Sequence, residues 1–196
     1  MSTADKLTAS RMLLSPVFFV LFVWGAKLGL EARILVALLW LLFGLMEVSD
    51  LFDGMVARKQ GMVSSFGKLF DPFADVFARL SYFLCFVSAS IMPIWIFLII
   101  MYREFSQLFL RQLAAEKGVA MAARKGGKAK AVFYMLSGLA SLAYWSMNSL
   151  GLFKSFYKSA KMIVLFIYLV ALVLSLASFL DYIIQFRKIS MTTKTE

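Results

Sequence analysis

The sequence predicts an all-α integral membrane protein: six transmembrane helices with a short N-terminal interfacial helix. Three observations predict it. Of 196 residues, 62% are hydrophobic, and the mean hydropathy is +0.83; a soluble domain is roughly 45–50% apolar. Uncharged apolar runs recur along the chain at lengths that approach or reach the about 20 residues a helix needs to cross a bilayer. Basic residues gather at the ends of those runs, where headgroups and topology account for a net charge of +10 without nucleic acid. The length suits a single membrane domain over residues 1–196.

The elements follow in order. The opening TADKLTASRMLL reads as an amphipathic helix lying at the interface. No cleavable signal is evident in MSTADKLTASR, which carries an acid and has no small-residue cleavage site after its apolar run. Met12–Ala26 and Ile34–Met46 are apolar cores that extend into polar-flanked helices, giving spans near 12–29 and 32–57. Gly25 and Gly29 form a GxxxG pair that reads as a span end rather than a packing motif. Leu80–Tyr102 is uncharged, but Met92-Pro93 falls inside it. It therefore reads as the end of one helix (68–90), a tight turn, and the start of another (93–115). Ala131–Phe153 and Met162–Leu180 are long enough to span unaided and give 130–152 and 160–185.

An even count of spans puts both termini on one side. That side carries Lys6, Arg11, Arg58, Lys59, Lys68, Lys117, Arg124, Lys125, Lys128, Lys130, Arg187, Lys188 and Lys194. The other carries Lys27, Arg33, Lys154, Lys158 and Lys161. The excess places the termini in the cytoplasm.

Histidine is absent, which removes Ser-His, Cys-His and His-metal chemistry. The single cysteine, Cys85, lies in an apolar run and reads as a small core residue. A base must come from a carboxylate, lysine or tyrosine.

The carboxylates are conspicuous. Asp50 lies seventeen residues after Arg33, roughly 26 Å along a helix, so it approaches the cytoplasmic edge of the second span. Asp71 mirrors it early in the third. Asp50, Asp53, Gly54, Ala57 and Arg58 share one helical stripe; Gly67, Asp71 and Asp75 share another. Folding the two helices together through 59–66 lets four carboxylates converge, with small residues leaving room for a ligand. Four carboxylates at the edge of hydrocarbon cannot all stay ionised unaided, and Arg58 offers one positive charge. Divalent cations resolve this, and hard oxygen ligands select Mg²⁺, Mn²⁺ or Ca²⁺. Two such ions would clamp an in-line displacement at phosphorus.

The string D-x2-D-G-x2-A-R-x8-G-x3-D-x3-D, from Asp50 to Asp75, resembles the signature of the CDP-alcohol phosphotransferases, with all eight fixed positions present. The six-span layout is similar over nearly the whole chain. The resemblance implies two divalent ions, Mg²⁺ or Mn²⁺, held by Asp50, Asp53, Asp71 and Asp75, with Asp75 as the general base. It implies a nucleotide site of Asp53, Gly54, Ala57, Arg58 and Gly67. It also implies attack of an alcohol on the β-phosphorus of a CDP-linked donor, release of CMP, a homodimer, and a site facing the cytoplasm from the bacterial inner membrane.

Two donor–acceptor pairings exist in such a family. One moves phosphatidyl from CDP-diacylglycerol to glycerol 3-phosphate; the other moves phosphocholine or phosphoethanolamine from the CDP-alcohol to diacylglycerol. A phosphorylated acceptor needs a second anion site, and Arg103, Arg111, Lys128 and Lys130 are its candidates. The stretch holding Arg103, Glu104 and Arg111, the following G-K-x-K at Gly127–Lys130, and the T-x2-R-x4-P of Thr8, Arg11 and Pro16 are similar to those of bacterial phosphatidylglycerophosphate synthases. Val76, Leu108 and Ala131 stand where those synthases usually carry lysine, serine and threonine. A divalent-ion membrane carrier is the reading from another class. It favours acids near the bilayer midplane, whereas these sit at the edge beside Arg58.

Overall fold

A computed structural model describes the backbone of residues 3–60, 65–116 and 125–192, and side chains within 8–49, 70–116 and 127–187. Among the described residues there are six long helices: α1 (Thr3–Trp24), α2 (Ala32–Gln60), α3 (Ser65–Ser88), α4 (Ile94–Glu116), α5 (Lys125–Ser149) and α6 (Tyr157–Thr192). A 3-10 turn at Lys154–Phe156 precedes α6.

These match the six expected helices in order, with two corrections at the start. The separate interfacial helix does not form, because α1 runs unbroken from Thr3 through Pro16 to Trp24. No glycine or proline separates Ala4 from Ser15, so nothing stops the helix between the amphipathic opening and the apolar run. The first helix then ends at Trp24 rather than residue 29, because Gly25–Gly29 form the turn.

The C-termini of α1, α3 and α5 share one closing geometry. Leu30 N–H bonds to the Gly25 carbonyl and Gly29 N–H to Ala26; Ile91 bonds to Phe86 and Ser90 to Val87; Leu152 bonds to Met147 and Gly151 to Asn148. Each is a Schellman pair built on one left-handed residue. Gly29 (φ 83°) and Gly151 (φ 66°) adopt it without cost, while Ser90 (φ 56°) holds it despite a side chain. Pro93 immediately precedes α4 and its carbonyl accepts from Ile96 and Phe97, which completes the tight turn expected from the sequence.

α1 packs on α2 and α3, α3 on α4, α4 on α6, α6 on α5, and α5 on α2. The helices therefore close a ring in the order α2, α1, α3, α4, α6, α5, and α3 also touches α5 across it. Aromatic rings fill the centre: Phe83 meets Tyr134 at 5.7 Å and Tyr168 at 5.6 Å, and Tyr82 meets Phe43 at 5.2 Å, all edge-on. Gly138 lets α5 approach this centre, since a Cβ there would lie 2.8 Å from Phe43 and 3.2 Å from Tyr82.

Among the described residues, Ala32–Ser49 and Lys154–Arg187 are long and apolar enough to cross a bilayer. α5 carries Ser137, Ser141 and Ser146 within its apolar sequence. All three are buried. Ser137 and Ser146 return their hydroxyls to carbonyls four residues back, each at 2.7 Å; Ser141 bonds Tyr168 at 2.7 Å; Trp40 Nε1 donates to Ser146 at 3.0 Å. α5 thus depends on its neighbours. Large apolar side chains also face outward on the other helices, among them Leu13, Leu41, Phe109, Phe166 and Val173, so the bundle is apolar outside as well as inside.

Candidate active site

Asp71, Asp75 and Arg79 recur every four residues on α3 and form one stripe. α1 faces it with two residues three apart. Thr8 Oγ1 donates to Asp71 Oδ1 at 2.7 Å, and Arg11 is ion-paired with Asp75 Oδ1. The Arg11 side chain is 3% exposed and that of Asp75 31%, so the pair is anchored in the helix interface while Asp75 remains partly open. The T-x2-R element noted in the sequence is therefore what orients the α3 aspartates, through charge-assisted hydrogen bonding.

Asp50, Asp53, Gly54, Ala57 and Arg58 fall in the C-terminal half of α2, and Gly67 in the first turn of α3. Their side chains lie outside the described residues, and so does the expected convergence of four carboxylates. Among the described residues no group of three or more Asp, Glu, His or Cys side chains is arranged to hold a metal ion.

Asp75 opens into a cavity of about 170 Å³ at one end of the four helices α3, α4, α5 and α6. Its walls are polar and strongly charged. α3 contributes Asp75 and Arg79; α4 contributes Arg103, Glu104, Gln107 and Arg111; α5 contributes Gly127 and Lys130; α6 contributes Ser178, Asp181, Tyr182 and Gln185. The α4 set follows helical spacing, so one face of α4 forms a wall. Val76, Leu108 and Ala131, the three positions at which the chain is less polar than the synthases it resembles, also line this cavity.

The cations do not stand alike. Arg103 Nη1 and Lys130 Nζ both donate to Glu104 Oε1, at 2.7 and 2.8 Å, and all three residues are buried. Arg103 also donates from Nε to the Ser175 carbonyl at 3.1 Å and from Nη2 to Ser178 Oγ at 3.4 Å. It is a brace between α4 and α6. Arg111 lies over the Tyr182 ring at 5.9 Å, and Gln185 Nε2 donates to Asp181 Oδ2 at 2.9 Å. Arg111 Nε, Gln107 Oε1 and Tyr182 Oη are buried with no hydrogen-bond partner among the described residues. Unmet polar atoms on a cavity wall carry a desolvation cost of about 1–3 kcal/mol each, and a polar occupant removes it.

Of the four cations singled out in the sequence, Arg103, Arg111 and Lys130 meet on the cavity. Lys128 does not, because it is exposed and off the wall. At 100° per residue, Gly127, Lys130 and Ala131 turn inward together and Lys128 turns away. Sequence reasoning missed Arg79, although it extends the Asp71–Asp75 stripe by one more turn. It quoted Glu104 without a role. The α6 residues carried no signal, since they join the site only through the order of helices around the ring.

A family model described as CDP-alcohol phosphatidyltransferase matches residues 1–193. The CDP-diacylglycerol--glycerol-3-phosphate 3-phosphatidyltransferase of Treponema pallidum (strain Nichols) is 38% identical, over 95% of this chain and 89% of its own. The protein of the same name from Bacillus subtilis (strain 168) is 34% identical, over 64% of this chain and 68% of its own. A probable phosphatidylglycerophosphate synthase of Mycobacterium tuberculosis (strain ATCC 25618 / H37Rv) is 32% identical, over 65% of this chain and 59% of its own.

Proposed function

The chain belongs to the CDP-alcohol phosphatidyltransferase family, and from that premise we propose that it transfers phosphatidyl from CDP-diacylglycerol to glycerol 3-phosphate. The observation that carries the choice of acceptor is the cavity beside Asp75, walled by Arg79, Arg103, Arg111 and Lys130. Guanidinium groups bind phosphate by paired, charge-assisted hydrogen bonds. A neutral diacylglycerol acceptor has no anion to set against such a wall, so phosphocholine or phosphoethanolamine transfer gains nothing from it. The names of the relatives from T. pallidum and B. subtilis agree with this choice.

The chemistry is a displacement at phosphorus. A terminal hydroxyl oxygen of the acceptor bonds to the phosphorus that carries diacylglycerol. The bond from that phosphorus to the CMP oxygen breaks, and CMP leaves with the electron pair. Asp75 takes the hydroxyl proton. Arg11 occupies Oδ1 of Asp75, which fixes the carboxylate and leaves Oδ2 for the acceptor. The acceptor phosphate lies against the cations deeper in the cavity, and Gln107, Arg111 and Tyr182 offer their unmatched polar atoms to it and to the glycerol hydroxyls.

Asp71 and Asp75 offer hard oxygen donors, Asp50 and Asp53 of α2 would complete the set, and the chain has no histidine, so these residue types fit Mg²⁺ or Mn²⁺. Two such ions, held by these aspartates, would supply positive charge at the reacting phosphorus. Arg58, with Asp53, Gly54, Ala57 and Gly67, would hold the nucleotide. The outward apolar faces suit a membrane surrounding, and the basic residues of 58–68 and 117–130 favour a site end facing the cytoplasm.

The test offers purified protein in lipid vesicles CDP-diacylglycerol with glycerol 3-phosphate, glycerol, serine or inositol, and CDP-choline with diacylglycerol. Lipid product and CMP are both scored. Glycerol 3-phosphate is expected to give phosphatidylglycerophosphate. Lipid from CDP-choline and diacylglycerol, with none from glycerol 3-phosphate, refutes the proposal.

A further inference from the structure

We infer that the end of the bundle opposite the candidate site is a docking surface for anionic phospholipid headgroups, formed by the α1–α2 and α5–α6 turns. The inference rests on the reading that the bundle stands in a membrane.

Packing between helices brings the two turns to one end. Phe22, near the end of α1, meets Trp145, near the end of α5, at 4.8 Å. Trp40, near the start of α2, donates from Nε1 to Ser146 of α5 at 3.0 Å. The length of α5 sets how far this end lies from the cavity. Lys130 lines the cavity, and Ser149 ends the helix nineteen residues later, roughly 28 Å along its axis. That is about the hydrocarbon thickness of a bilayer, so the turns reach the opposite headgroup layer.

Charge at this end is one-sided. Lys27 and Arg33 flank the α1–α2 turn; Lys154, Lys158 and Lys161 run from the α5–α6 turn into the first turns of α6. All five are exposed, and none is ion-paired among the described residues. Residues 24–34, 88–95 and 149–163 contain one carboxylate, Glu31, against these five cations, so four positive charges are left over. Topology alone would gather cations at the other end. Anionic headgroups draw them to this one.

Apolar side chains stand among the cations. Phe153 is 71% exposed, and Leu28, Phe156 and Met162 are exposed as well. Phe153 is held in the left-handed region (φ 53°, ψ 45°), which is unfavourable for a bulky side chain. Burial in the protein core does not offset that, because the ring points outward beside Lys154. Insertion among headgroups does. Trp24 and Trp95 are exposed at the same end, at the close of α1 and the start of α4, where aromatic residues mark a membrane–water boundary. Lysine stems can lie along such apolar surface and lift their ammonium groups to phosphate. A zwitterionic surface would suit the aromatic residues but leave the four charges unmatched; an anionic one suits both.

Tryptophan quenching by phospholipids brominated on their acyl chains tests this on the full-length protein in vesicles. Trp24, Trp40, Trp95 and Trp145 all lie in this half of the bundle, so they report lipid at the right end. The vesicles hold equal parts of phosphatidylglycerol and phosphatidylcholine, with bromine on one lipid or the other. The parent is expected to prefer phosphatidylglycerol at least about fivefold. The combined variant Lys154→Gln, Lys158→Gln, Lys161→Gln should fall below about twofold, and so should the parent in about 1 M salt. Removing cations here strengthens the charge bias between the two ends, so the variant keeps its orientation, and its phosphatidyl transfer should match the parent's. The corresponding three arginine substitutions should keep the preference. Equal quenching by both lipids in the parent, an undiminished preference in the glutamine variant, or loss of preference in the arginine variant overturns the docking surface. Quenching by neither lipid refutes the membrane reading instead.

Discussion

Replacing Glu104 by glutamine separates a structural charge from a functional one. Glu104 Oε1 accepts from Arg103 at 2.7 Å and from Lys130 at 2.8 Å, and the carboxylate is 4% exposed. The triad carries one net positive charge. Glu104→Gln preserves shape and one acceptor oxygen but leaves two buried cations without an anion. At about 2.8 Å and an effective dielectric near 20, each lost attraction is about 6 kcal/mol gross. Breaking a buried pair costs about 3–5 kcal/mol net, because repulsion and desolvation are no longer offset. A loss of about 3 kcal/mol lowers Tm by about 10 °C in a chain of this size. Lys130→Met is the control: it leaves a neutral Arg103–Glu104 pair and relieves the burial of an ammonium, so stability should hold within about 1 kcal/mol while acceptor use falls. Thermal unfolding of the detergent-solubilised protein, followed by far-UV circular dichroism, measures both. The reasoning fails if Glu104→Gln melts with the parent, or if Lys130→Met melts below Glu104→Gln.

Three further outcomes are expected. Transfer should stop in excess EDTA and return with Mg²⁺ or Mn²⁺, measured as CMP release; full turnover in chelator refutes the metal assignment. Asp75→Asn should lower kcat by about 10²–10⁴ with donor KM largely kept, because a base acts chiefly in the transition state; a rate near the parent's removes Asp75 as the base. Gly138→Ala places a methyl 2.8 Å from Phe43 and 3.2 Å from Tyr82, which should cost about 1–3 kcal/mol of stability; an unchanged Tm contradicts the close approach of α5.

The order of helices was legible because apolar runs and their breaks are local. Met92-Pro93 marked the turn between α3 and α4, and the backbone closes there around Ser90. The α3 stripe was legible for the same reason, since a period of four is a property of one helix. The end of α1 was misjudged because a terminal glycine can sit inside a span or close it. Here Gly25 is packed on the Leu35 side chain, 2.5 Å from where its Cβ would be, and that is a contact between helices.

By itself the sequence determined the helical class, the carboxylate stripe of Asp71 and Asp75 and the cationic character of α4, each a matter of residue type and spacing along one chain segment. Tertiary structure alone decided which charges are spent on one another. Arg103 and Lys130 share Glu104 and Arg11 takes Asp75, while α6 closes the cavity with Asp181, Tyr182 and Gln185. Charge strength and partner choice depend on through-space distance and desolvation. A linear order of residues does not encode these until the ring of helices brings α1 onto α3 and α6 onto α4.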